Sequence, residues 1–134
     1  MASVRISCLR REELVMRAVK SAAKTLGECF HAEDKALVYF QGSKIRIAAR
    51  FASRGAKGIH WFGISARDLE IINDSGYLLF VCGENAYLLE ALKAVAASAA
   101  CPPSKNHFNL KLHVADNIAY IRLKDRTAIM PLRV

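Results

Sequence analysis

Seven cations, Lys35, Lys44, Arg46, Arg50, Arg54, Lys57 and Arg67, fall between residues 35 and 67 with no Asp or Glu among them. The chemistry such a stretch offers is the binding of a polyanion, because each phosphate met by Lys or Arg releases counterions and adds sequence-independent affinity. The flanking segments differ: residues 68–101 carry five acids and one Lys, and residues 102–134 carry six cations and two acids. A strand over Lys44–Phe51 would set Lys44, Arg46, Ala48 and Arg50 on one face and Ile45, Ile47, Ala49 and Phe51 on the other. The following loop adds Arg54 and Lys57 beside Gly55 and Gly58, where bare backbone N–H groups can approach phosphate oxygens. His60 comes next and offers a ring for an exposed base, while Trp61 is read first as a core residue. The expected nucleic-acid-binding set is therefore Lys44, Arg46, Arg50, Arg54, Lys57 and His60. Arg46 and Arg50 are of a type that reads guanine edges, although no pattern marks a recognition sequence.

Catalytic chemistry has fewer footholds. The carboxylates Glu12, Glu13 and Asp34 are the candidates for holding a divalent metal, with Mg²⁺ implied only if a nuclease activity is present. There is no P-loop, no G-x-G-x-x-G and no H-E-x-x-H. Cys8, Cys29, Cys82 and Cys101 are far apart and form no C-x-x-C pair, which argues for reduced thiols and against a cysteine zinc site. His107 and His113 share a strand parity and are read as solvent-facing or hydrogen-bonded.

The elements that must position these groups follow from periodicity. Leu14, Val15, Ala18, Val19, Ala22, Ala23 and Leu26 recur at three- and four-residue steps, which predicts a helix over Leu9–Leu26 ended by Gly27. Strands are expected at Ala36–Phe40, Ile45–Phe51 and Ile59–Ile64. Ser65 and Asp68 suit the capping box of a short helix through Ile72, and Asp74-Ser75-Gly76 turns into a strand over Tyr77–Cys82. A second long helix is expected over Ala86–Ala100, with Leu88, Leu89, Leu92, Val95, Ala96 and Ala99 inward and Pro102-Pro103 as its stop. Phe108–Val114 alternates as a strand, and strands follow at Ile118–Leu123 and Ala128–Leu132.

The fold class is thus α+β: two long helices packed on a mixed or mainly antiparallel sheet in the order α-β-β-β-α-β-α-β-β-β, within one domain over 1–134. The composition, 53% hydrophobic and 24% charged, is that of a globular chain and excludes a disordered polymer. The N-terminal residues lack an apolar signal core and no run approaches a bilayer span, so a cytoplasmic protein with no membrane partner is expected.

The helix, meander, helix and strand over residues 9–100 resemble the core of the restriction-endonuclease-like, or PD-(D/E)XK, nuclease superfamily. Ile59-His60-Trp61-Phe62-Gly63-Ile64 followed by Gly76-Tyr77-Leu78-Leu79-Phe80-Val81-Cys82-Gly83 is similar to strand pairs in small proteins of that group. The resemblance implies that Asp34 stands for the first acid of the metal site and Glu12 or Glu13 for a helix-borne carboxylate. The second half of the motif is absent, because Lys44-Ile45-Arg46-Ile47-Ala48-Ala49-Arg50 holds no Glu or Gln before its cations. What remains implied is DNA contact by a nuclease scaffold without its catalytic set. The sequence therefore points to a nucleic-acid-binding protein, DNA favoured, with no cofactor of its own. A metal-dependent nuclease and a homodimeric interaction module stand as alternatives.

Overall fold

A computed structural model describes residues 8–51, 53–54, 59–73, 75–100, 107–115, 118–122 and 126–132. The amphipathic segment forms helix α1 over Cys8–Leu26, with Gly27 at φ +65° turning the chain out of it. Two short strands, β1 (His31–Ala32) and β2 (Tyr39–Gln41), precede β3 (Arg46–Phe51) and β4 (Ser53–Arg54). Strand β5 (Ile59–Ser65) runs directly into helix α2 (Ala66–Ile72), whose capping box joins Ser65 and Asp68 as the sequence predicts. Strands β6 (Tyr77–Cys82) and β7 (Asn85–Glu90) are followed by helix α3 (Ala91–Ala100). The chain ends with β8 (His107–Ala115), β9 (Ile118–Arg122), β10 (Arg126–Ala128) and β11 (Met130–Leu132).

The class is α+β, but the strands divide between two sheets. The first has the order β1-β2-β3-β6-β7-β11 and is mixed, because β3 and β6 run parallel. The second, β10-β9-β8-β5-β4, is antiparallel throughout. Strand alternation gives the first sheet two buried faces. Ile47, Ala49, Leu79, Val81, Ala86 and Leu88 pack under α1 against Leu14, Val15, Ala18, Val19 and Ala22. Ala48, Leu78, Phe80, Tyr87 and Leu89 face the second sheet, where Phe62, Ile64, Leu110, Leu112, Ala119 and Ile121 meet them. Helices α2 and α3 contribute Ile72, Ala91 and Ala94 to this second core. Phe62 and Phe80 lie across it with ring centroids 4.5 Å apart.

Four expectations change. The strand expected over Ala36–Phe40 is the shorter β2, Tyr39–Gln41. The second long helix keeps only Ala91–Ala100 of its expected span, because Asn85–Glu90 is strand β7. Its apolar run Ala86–Leu89 is buried on both faces, and such a run satisfies a central strand as well as a helix. Gly83, at φ +61°, closes a two-residue turn that pairs Cys82 with Asn85 and fixes the hairpin. With the helix beginning at Ala91, its inward residues become Ala91 and Ala94, and Leu92 and Val95 are left 67% and 48% exposed. The last expected strand, Ala128–Leu132, is instead two strands that cross from one sheet to the other at Ile129. Finally, Ser53 and Arg54 are not loop but an edge strand paired with Trp61 and His60.

Candidate nucleic-acid interface

Strand β3 does not present an open row of cations. Its expected solvent face is the one covered by the second sheet, so Ala48 is wholly buried and Arg46 and Arg50 stand at the two ends of the strand. Both have acidic partners from distant segments. Arg46 holds Glu33 through two hydrogen bonds, Nε to Oε2 at 3.0 Å and Nη2 to Oε1 at 2.5 Å. Arg50 holds Asp68 in the same forked manner, Nε to Oδ2 at 2.9 Å and Nη2 to Oδ1 at 2.5 Å.

Asp68 is fully buried and also accepts hydrogen bonds from the Tyr39 hydroxyl at 2.7 Å and the Ser65 N–H at 3.0 Å. Burial by itself raises its carboxyl, and the donors from Arg50, Ser65 and Tyr39 outweigh burial and hold it below its ordinary value. Tyr39 shifts upward, first through burial and then because its proton is held by Asp68. The Arg67 guanidinium lies over the Tyr39 ring, 5.9 Å from its centroid.

The remaining sequence candidates are dispersed. Lys44 is exposed beside the Glu28 carboxylate, which accepts its backbone N–H at 3.0 Å and the Ser43 hydroxyl at 2.6 Å. His60 has the strand parity of Phe62 and Ile64 and is half-buried. Burial lowers its imidazole below the usual 6.5, so at neutral pH it brings no charge to a phosphate. Lys57 lies outside the described residues, as do the side chains of Arg54 and Trp61.

The carboxylates do not converge. Glu13 pairs with Arg10 and Arg17, and Asp34 accepts the Ala36 N–H at 3.1 Å in a local turn. Among the described residues no three His, Cys, Asp or Glu side chains gather as a metal site. Cys29 and Cys82 are free thiols, and burial pushes the Cys82 thiol up to about 12, which keeps it protonated.

Two features can meet an anion. The first is an open cleft of about 410 Å³ between the start of α1, residues 35–38 and the carboxyl end of β3. Arg11, Glu12, Lys35, Leu37, Arg50 and Gly63 line it. Among the described residues Arg11 and Lys35 make no ion pair, although the Arg11 guanidinium rests 4.8 Å from the Phe51 ring centroid. Leu37 adopts φ +55°, a left-handed conformation that a branched side chain rarely takes and that shapes this rim.

The second feature is the second sheet itself. Its five strands contain no Asp or Glu, yet Arg54, Lys111, Arg122 and Arg126 lie in them. The first sheet and helix α2 pack on its inner side, and the sheet's pairing row Ile59, His113, Tyr120 runs across the outer side. His113 and Tyr120 stack there with centroids 5.1 Å apart and planes within 9°. Lys111 is exposed in the next row, opposite Trp61. Gly63, exposed on β5, lines the cleft and stands two residues along the strand from Trp61, so the two features adjoin.

Tyr120 was not among the sequence candidates. The signal for it was the alternation of buried Ala119 and Ile121 around it, which places it opposite the core. No family model matches this chain, and neither a curated protein nor a solved structure is similar to it.

Proposed function

We propose that the protein binds nucleic acid, DNA in the first instance, through the outer side of the second sheet and the adjoining cleft. The observation that carries this reading is the sheet without carboxylates: every charged residue in its strands is a cation. The excess positive charge of the chain thus has strands to act from other than β3, whose Arg46 and Arg50 hold Glu33 and Asp68. Arg11 and Lys35 extend that surface at the mouth of the cleft.

The test is a titration of the protein against labelled duplex DNA, single-stranded DNA and RNA over a salt series, with and without magnesium. Affinity should fall steeply with salt. The double substitution Lys35→Ala with Lys111→Ala should weaken binding and reduce the slope of log K against log salt by about 2. Absence of affinity for all three probes at low salt overturns the reading and favours an interaction module. Magnesium-dependent nicking that Glu12→Gln abolishes would instead support the nuclease, because Glu12 is the carboxylate that lines the cleft.

A further inference from the structure

We propose that the cleft takes the terminal phosphate monoester of a nucleic-acid strand, not the phosphodiesters between its nucleotides. This rests on the nucleic-acid reading above and names the group that the cleft recognises. Its volume of about 410 Å³ falls within the roughly 300–1,000 Å³ of small-ligand pockets, which suits an end group better than a backbone running past.

Three cations from three elements line the cleft. Arg11 comes from α1, Lys35 from the turn in which Asp34 accepts the Ala36 N–H, and Arg50 from the carboxyl end of β3. Leu37, packed against the core under α1 at φ +55°, anchors the chain two residues after Lys35. Arg50 is fixed from behind. Its Nε and Nη2 donate to the fully buried Asp68, while its side chain keeps 29% exposure and its Nη1 is left to meet a ligand. A planar guanidinium oriented in advance loses little freedom when an anion arrives, so it holds that anion better than a mobile surface cation does.

A terminal phosphate suits this arrangement on charge and on shape. It carries about −1.5 to −2 charge at pH 7 and offers three acceptor oxygens. An internal phosphate has one charge and two free oxygens, and its chain must leave the site in both directions. Among the described residues that line the cleft, Glu12 is the one acid. The three cations set against Glu12 and Asp68 leave an excess of one positive charge, which draws in an anion the more strongly the more charge it carries. Val15, Val38 and Phe51 add an apolar wall for the sugar and base of the end nucleotide. Free nucleoside monophosphates carry the same group, and the experiment separates the two sources.

The experiment measures anisotropy of an internally labelled oligonucleotide of about 12 nucleotides, as a single strand and as a blunt duplex, with a phosphate at the 5′ end, at the 3′ end or at neither. Calorimetry with adenosine 5′-monophosphate and with adenosine tests the free group. A terminal phosphate should tighten oligonucleotide binding about tenfold or more over hydroxyl ends. Arg11→Gln with Lys35→Gln, both at exposed positions, should erase that preference. Lys24→Ala, exposed about 20 Å further along α1, should leave it intact. Glu12→Gln, which removes the acid of the cleft, should increase it. Circular dichroism confirms that each variant is folded, and the comparison of ends needs no variant at all. Equal affinity for phosphorylated and hydroxyl ends overturns the end-group site and leaves the nucleic-acid reading standing. Failure of the intact protein to bind any oligonucleotide overturns that reading and the strand end with it, and binding of adenosine 5′-monophosphate but not adenosine in that case assigns the cleft to the free nucleotide.

Discussion

Asp68 shows how a single residue changes the meaning of its neighbours. In the sequence it is an N3 carboxylate three residues after a serine, and that local reading is correct. What the local pattern does not contain is that the same carboxylate receives Arg50 from β3 and Tyr39 from β2, each more than fifteen residues away. A fully buried carboxylate with four hydrogen bonds to its oxygens is stable only while those donors remain. Asp68→Asn should destabilise the protein by about 2–3 kcal/mol, at or below the lower end of the range for breaking a buried pair because Arg50 retains contact with water. Denaturant unfolding would measure this. The pH dependence has a definite sign. Since folding holds the Asp68 carboxyl below its ordinary 3.8, its stabilisation is fully present above that value and is lost as the pH falls through the lower folded value. Asp68→Asn should therefore flatten the acid limb of the stability profile below pH 3.8 relative to the parent protein.

At the scale of elements, the join between α2 and β6 depends on a glycine for a reason of space. Gly76 is buried, donates its N–H to the Ile72 carbonyl at 2.8 Å and accepts the Ala91 N–H at 3.1 Å. It thereby ties the end of α2 to the start of α3. A Cβ at this position would collide with the carbonyl oxygens of Arg46 and Ile72, and would stand 2.8 Å from the Ile72 Cα. All three are backbone atoms and cannot rotate away. Gly76→Ala should cost about 2–3 kcal/mol through forced backbone displacement, whereas Gly27→Ala meets no neighbouring atom and is burdened only by its left-handed φ. Comparing the two midpoints in urea separates overpacking from conformational strain.

For the molecule as a whole, the first sheet belongs to both cores at once. Leu79 and Val81 serve the core under α1, and Leu78 and Phe80, alternating with them on the same strand, serve the core between the sheets. Neither core can open without exposing the other face of β6. Unfolding is therefore expected as one cooperative transition, with far-ultraviolet and near-ultraviolet circular dichroism coinciding. Leu79→Ala and Phe62→Ala, in different cores, should each lower that single midpoint by the equivalent of about 2–5 kcal/mol. Two separable transitions, with one core melting first, would contradict the shared sheet.

Local patterns made much of this architecture legible. The apolar spacing of α1, the capping box at Ser65 and Asp68, the strand Tyr77–Cys82 and the alternation of β8 all depend on neighbours within one or two turns, and each stands where periodicity puts it. The doubly buried run Ala86–Leu89 escaped this logic, since a strand covered on both faces leaves no alternation to read. The candidate site divides in the same way. Composition established that the chain carries excess positive charge, and residue order established where along the chain that charge is concentrated. Tertiary structure decided which cations are consumed by Glu33 and Asp68, and which strands from both halves of the chain assemble into a sheet without acids. An ion pair is made by proximity in space, and proximity between residues far apart in sequence is created only when the sheets pack.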